Sequence, residues 1–486
     1  MSSQLNRTWH LWAYIAATAC SLLLYSGSVG LPFFSDDFEV LLRLSKGNFD
    51  TGIFLRPLGD LTLYLQHQFA GFKPVSYHLV NVLLHGAATY LVFRTGFLLA
   101  TYLNIAGKRQ QVAIVGAILF MFYPLHAEAV IWVVGRGIIL SAIFFFISLG
   151  IYLGGSGKLF SKLLSLLAFI VAIAGYETAL VLPFIIMALS LLRSKSLRGS
   201  ILDSYPYWMI LAVYFIIRYV ILGEMTGGGY FMRPGGAATL VYNFCAALSR
   251  SFIAPFIETR HFIIAAFIGF VVLLGATIRL ARSREVVRNA IILFVLLGIA
   301  LLPVAAVGIS THDQEGGRFI YQSAFFATYF LAMLIVYSFR RRVWANGLTV
   351  ILLAVCGLVL MKVIDGWKQA AAMVRSSMNS IPHLTRPSYF FNVPGKINSA
   401  YVFRNGFKEA CVIYGKSDDA ANIHVISLID PFIAGSDSTF KPAQLPRGWS
   451  YDQASAKLSG NGIFYTVPAG SIFIWHSGRF TSLPTQ

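Results

Sequence analysis

Two adjacent aspartates, Asp36 and Asp37, sit in the stretch LPFFSDDFEVLLRL, directly after a long apolar run. Paired carboxylates can act as a general base with its helper, or hold a divalent metal. They can also cap the amphipathic helix that DFEVLLRL predicts, although capping engages one aspartate and leaves the other unexplained. Further ionisable residues follow along the chain. Arg56 comes first, then His78, Asn81 and His85, then His126, Glu128 and Arg136 in YPLHAEAVIWVVGR, Glu177 in GYE, and Asp313, Glu315 and Arg318 in STHDQEGGRFIY. His78, Asn81 and His85 stand at i, i+3 and i+7 and share one helix face. Such a stripe either hydrogen-bonds neighbouring helices or shapes a pocket. A buried Arg136 needs an anion, which a protein carboxylate or a ligand phosphate could supply. Glu177 opens a helix, where the dipole favours a carboxylate in any case.

These residues need elements to hold them, and composition says which. The chain has 486 residues, of which 57% are hydrophobic and 12% charged. A soluble domain carries about 25% charged residues. Apolar windows of the length that spans a bilayer, ~18 residues or more, recur along the chain, which makes it an all-α polytopic membrane protein. The first apolar run is too long for a signal-peptide core and lacks a small-residue cleavage site, so it reads as a retained helix. The net charge of +18 lies in short loops between apolar runs. That is the positive-inside pattern, with anionic membrane lipid as the partner and no nucleic acid.

Loop charges place the N-terminus inside and predict roughly eleven transmembrane helices, within the ±2–4 residue error of such boundaries. The first covers about 10–32, the second 76–101, the third 111–126 and the fourth 130–153. The seventh covers about 205–223, the eighth 261–279 and the eleventh 344–363, with an interfacial helix expected over 237–257. All the candidate residues named above then fall in the outer half, and a charged residue at membrane depth is a functional hypothesis by default. After about Pro382 the chain turns to short alternating segments, AYVF, ACVIYG, IHVISL and GIFYTV, read as strands. The organisation expected is a transmembrane catalytic domain over 1–366 and a small β-rich extracytoplasmic domain over 382–486. The four cysteines show no metal spacing, and a Cys245–Cys411 disulfide is left open.

An acidic pair in the first outer loop, followed by an interfacial helix, resembles the GT-C class of membrane glycosyltransferases. FLRPLGDLTLYL, YHLVNVLLHGAATYLVF, PLHAEAVIWVVGRGIILSAIFFF and GYETALVLPFIIMALSLL resemble, in order and character, the membrane core of the transmembrane O-mannosyltransferases that carry tetratricopeptide repeats. GGRFIYQSAFF is similar to their later outer segment, and the resemblance covers about Asp36 to Ser323. The chain departs from that family in having no repeat array, which leaves sugar and acceptor open.

The resemblance implies inverting transfer of a sugar from a polyprenyl-phosphate donor to a hydroxyl of a protein, lipid or glycan. It places the reaction on the outer face of a bacterial inner membrane, with the tail in the periplasm. By the same resemblance Asp36 is the base and Asp37 orients the acceptor or a metal. Arg318 and Arg136, chosen over Arg56, hold the phosphate, and His78, His85 and His126 shape the pocket. Mg or Mn is optional in the class. Two rivals remain: a transporter or flippase of lipid-linked saccharides, and an O-antigen ligase or polymerase using a diphosphate-linked donor. A transporter should place its charges near the bilayer midplane on broken or repeated helices.

Overall fold

A computed structural model describes residues 4–50, 52, 54–105, 107–155, 158–225, 236–253, 283–310, 313–397, 399–429, 445–446, 448–468 and 470–483, with scattered helical residues between 264 and 276. Among these, α1 is Gln4–Leu24, α2 Asp36–Ser45, α3 Pro57–Ala70, α4 Pro74–Tyr102 and α5 Arg109–Met121. Then come α6 Ala127–Ile131, α7 Arg136–Gly154, α8 Leu159–Gly175, α9 Leu182–Ser194, α10 Leu197–Leu222 and α11 Gly236–Arg250. The set closes with α12 Arg284–Ala300, α13 Leu302–Val307, α14 Ala324–Ser338, α15 Arg342–Ser380 and a short α16, Phe407–Ile413, inside the tail. Helix α4 is the hub of the bundle and packs on α1, α5 and α7, while α7 also packs on α8.

Among the described residues five helices are long and apolar enough to cross a membrane, or six if the bent pair Arg109–Met121 and Pro124–Ile131 is one span. The chain is an integral membrane protein by that measure, and the expected eleven spans are not reached. Local breaks explain much of the difference. Sequence windows run through Gly27, Gly30 and Pro32, but α1 stops at Leu24 and a 3-10 turn follows. Pro124 has no amide to donate and disfavours helix at Tyr123, so the third expected helix bends by 48° there. Helices α8 and α14 are apolar but short, and the eighth expected helix lies mostly outside the described residues. Helix α3 occupies what the loop charges suggest is plain outer loop, entered through Pro57 at its first turn, where the missing amide costs nothing. Over 237–257, where an interfacial helix is expected, α11 runs as a helix as far as Arg250.

Helix α15 runs 39 residues, about 58 Å at 1.5 Å per residue, and carries the chain straight into the tail. A four-stranded sheet packs against its far end. In that sheet β1 (Ser388–Phe391) pairs parallel with β2 (Ile423–Val425) and β3 (Ile472–His476), and β4 (Arg479–Ser482) pairs antiparallel with β3. Trp475 Nε1 donates to Ser377 Oγ at 3.1 Å, and the Phe480 amide to Ser380 Oγ at 2.8 Å, which fixes sheet to helix. A separate antiparallel meander covers Trp449–Asp452, Lys457–Gly460 and Ile463–Thr466. Of the expected strands, ACVIYG is helical instead: it belongs to α16, whose buried Ala410 and Cys411 face the core. Cys245 and Cys411 are both unbonded.

Candidate active site

The two aspartates at the start of α2 have different surroundings. Asp37 is fully buried. Its Oδ1 accepts from the Val134 amide at 2.9 Å, and its Oδ2 from the amides of Phe34 at 3.0 Å and Val133 at 3.4 Å. The carboxyl therefore ties the loop after α1 to the 3-10 turn Val133–Gly135 at the head of α7. Burial pushes its pKa up to about 8, against the pull of those three amide donors. Asp36 is only partly buried and faces a cavity of about 670 Å³. Its Oδ1 takes hydrogen bonds from Asn405 Nδ2 at 2.6 Å and Ser35 Oγ at 3.2 Å. Asp37, expected to orient an acceptor or a metal, does neither from this position.

The cavity is built from distant segments. Its described lining includes Trp132 from the α6–α7 turn, Tyr242 and Asn243 on α11, residues 306–310 at and just past the end of α13, Arg318 and Phe319, and Tyr401, Arg404 and Asn405 from the tail. Asp36 and Glu315 are the carboxylates among them. Glu315 is paired with Arg404 and, at 3.1 Å, with Lys396. Burial raises its carboxyl, but these cations outweigh burial and hold it below the ordinary range. Among the described residues no three His, Cys, Asp or Glu side chains converge to hold a metal. The donors around Asp36 are an amide and a hydroxyl rather than further carboxylates, so the described residues there do not fit a Mg or Mn centre.

Arg318 lines this cavity with its charge already met. It pairs with Glu128 through its guanidinium, donates its backbone amide to Glu128 Oε2 at 2.9 Å, and reaches the Tyr401 hydroxyl at 3.1 Å. Tyr401 in turn donates to Glu128 Oε1 at 2.9 Å. Arg136 is buried, with Nε on Asn81 Oδ1 at 2.9 Å and its other nitrogens directed to the carbonyls of Tyr77 and Thr62. It lines neither described cavity. The polar stripe on α4 is met by neighbouring protein groups: His78 contacts the Pro32 carbonyl at 3.1 Å, Asn81 donates to the carbonyls of Trp132 and Val133, and His85 contacts the Tyr321 hydroxyl at 2.7 Å. His126 is enclosed by Phe120, Tyr123 and Tyr321, with centroid separations of 4.3–5.0 Å. These residues fix the bent α5–α6 segment in place and leave the cavity wall to others.

A second cavity, of about 200 Å³, adjoins the first and shares Ala306, Val307 and Phe319 with it. Its walls are almost entirely apolar apart from Arg56, Glu177 and Arg218. Glu177 accepts from Arg56 Nε at 3.0 Å and lies 3.8 Å from Arg218, so two guanidiniums share one carboxylate. Arg56 also stacks on Tyr176 at 3.8 Å and Phe54 at 4.2 Å.

Comparison with known proteins adds a direction. Over 164 residues the chain is 30% identical to protein O-mannosyl-transferase TMTC4 of Mus musculus, covering 28% of this chain and 22% of that protein. Over a further 164-residue match it is 34% identical to protein O-mannosyl-transferase tmtc2 of Xenopus laevis, covering 29% and 18%. The human protein O-mannosyl-transferase TMTC3 is 35% identical over 122 residues, covering 24% and 12%. The chain is similar to protein O-mannosyl-transferases. It spans about a fifth or less of the length of these curated relatives. No family model and no solved structure matches.

Of the residues that sequence singles out, the structure brings Asp36, Glu315 and Arg318 to one cavity and Arg56 and Glu177 to its neighbour. It sets Asp37, His78, Asn81, His85, His126, Glu128 and Arg136 into the surrounding frame. Sequence reading misses Arg218, Tyr401, Arg404 and Asn405. Arg218 carries a signal, a lone cation in the apolar run YFIIRYVIL. The tail residues carry none, because nothing local says that their segment reaches the first outer loop.

Proposed function

We propose that the chain is an inverting glycosyltransferase that moves a sugar from a polyprenyl-phosphate donor to an acceptor hydroxyl. One observation carries the reading. A carboxylate, Asp36, opens on a large polar cavity that shares a wall with an apolar cavity bearing two arginines and one glutamate. The apolar side suits a prenyl chain. Arg56 and Arg218, two guanidiniums on this wall beside Glu177, suit the phosphate, and they take the role that sequence assigns to Arg318 and Arg136. The aromatic and polar side suits the sugar and the acceptor. Asp36 Oδ2 removes the acceptor proton, the oxygen attacks the anomeric carbon, and the bond to the lipid phosphate breaks with its electron pair going to the phosphate oxygen, whose charge the arginines stabilise. The names of the relatives make mannose and a protein hydroxyl the first substrates to try, and the site then faces the periplasm of a bacterial inner membrane.

The test is transfer by the purified protein in nanodiscs, offered a polyprenyl-monophosphate sugar, a polyprenyl-diphosphate glycan, or neither. Turnover of the monophosphate donor is expected. Asp36→Asn should lower kcat by ~10²-fold or more, the low end for a general base, with donor binding kept. Turnover of the diphosphate donor alone would move the protein to the ligase class. Saccharide movement across the bilayer without any transfer would make it a transporter.

A further inference from the structure

The residue before the base is strained. Ser35 has φ +47° and ψ −120°, a left-handed conformation that side chains rarely adopt. What holds it there is the tail. The Ser35 amide donates to the Val402 carbonyl at 2.9 Å, and Ser35 Oγ accepts from the Asn405 amide at 3.1 Å. Gly406, at φ +75°, lies so close that an added Cβ would stand 2.5 Å from the Ser35 carbonyl oxygen. The same tail loop is anchored independently of the Asn405 side chain, by Tyr401 on Glu128, by Arg404 on Glu315 and by the Phe403 ring stacked on Phe38 at 6.0 Å. The Asn405 amide group is thus free of any anchoring duty and makes its contact with Asp36 Oδ1.

We propose that Asn405 is a positioning residue for Asp36, so that the C-terminal domain completes the catalytic site. The inference rests on the glycosyl-transfer reading above. An ionised carboxylate only accepts, so the Asn405 NH2 must be the group that faces it. Ser35 Oγ, which has one proton, accepts from the Asn405 amide and gives that proton to the same Oδ1. Two donors therefore fix Oδ1, and Oδ2 has no hydrogen-bond partner among the described residues. The arrangement fixes which oxygen takes the acceptor proton and turns it towards the cavity. Without Asn405 the carboxylate can rotate.

The experiment compares wild type with Asn405→Ala and the isosteric Asn405→Asp, in nanodiscs with the polyprenyl-monophosphate sugar that wild type turns over. For Asn405→Ala, kcat should fall at least about tenfold while donor binding and Tm hold, since backbone contacts to Ser35 persist. Donor KM should hold as kcat falls, and Asn405→Asp, which keeps the size but offers Oδ1 no NH2, should lose at least as much kcat. A merely structural residue would lower Tm and donor affinity along with kcat, which overturns the proposal, as does an unchanged kcat. Carbodiimide labelling of Asp36 at one fixed pH, read by peptide mass spectrometry, follows how its oxygens are held with no turnover. If wild type transfers no sugar, the functional reading fails on its own, and labelling still decides the positioning. A changed labelling rate in the variants supports it; an unchanged rate overturns it.

Discussion

Asp36 and Asp37 differ by one position and by almost everything else. Asp37 meets three backbone amides in a dry setting, and Asp36 meets two side chains at the edge of a cavity. The burial of Asp37 gives a pH-dependent prediction. Its acidity in the folded chain, about 8, lies above the ordinary carboxylate value of 3.8. The folded state therefore holds a proton that the unfolded state releases, and the stability so contributed is complete below about pH 4 and lost as pH rises through 8. Asp37→Asn cannot titrate and leaves an amide donor facing an amide NH2, a cost of about 1–3 kcal/mol. Its Tm in detergent should lie below that of wild type at pH 5, and the gap should narrow by pH 8. A gap that widens would reverse the sign. The arginines make the second residue-scale case. Arg56→Ala or Arg218→Ala should weaken use of a lipid-phosphate donor by about 1.5–3 kcal/mol, the worth of hydrogen bonds to a charged group. Lys at either position should restore part of it, keeping charge without the planar fork. Donor KM and kcat measure this, and unchanged values in both Ala variants would remove the apolar cavity from the reaction.

At the scale of elements, the bend after α5 does most to shape the site. Pro124 breaks the helix, and the short α6 that follows brings Glu128 under Arg318 and Tyr401. Both charges of that pair are buried. Removing one partner leaves the other uncompensated, so Glu128→Gln should cost about 3–5 kcal/mol, whereas a joint Glu128→Leu, Arg318→Met change should cost less than either single one. Thermal melting of the three variants decides it. An additive double variant would mean the pair is not coupled. The same bend limits what sequence can say. Hydropathy finds α4, α7, α10 and α15, because their periods are long and uninterrupted. It cannot see that a 3-10 turn ends α1, that Pro57 starts a helix in an outer loop, or that ACVIYG coils. The polar residues themselves were legible, since ionisable groups are conspicuous in an apolar chain. Their duties were not, because whether Arg136 meets a ligand or a carbonyl depends on the neighbour that packing supplies.

At the scale of the molecule, topology is the open measurement. The loop charges place Asp36 and the tail on one side and the Arg284 cluster on the other. Reporter fusions after Lys46, Arg284 and Gln486 should therefore read out, in and out. A tail reading in would contradict the contacts between 400–406 and the first loop, which require both on one face. A bilayer core needs about 20 helical residues, and α15 has 39. Its remaining turns carry the tail sheet through Ser377 and Ser380, and with it the loop that returns to Ser35. The contact from Asp36 to Asn405 crosses 369 residues of chain. Ribosomes add about 5–20 residues per second, so roughly 20–70 s pass between the synthesis of Asp36 and that of Asn405. During that interval the first loop is already made while the segment that holds Ser35 in its left-handed conformation does not yet exist. The nascent chain thus carries its own delay: the helices between the two are all made before Asp36 and Ser35 can meet their partners in the tail.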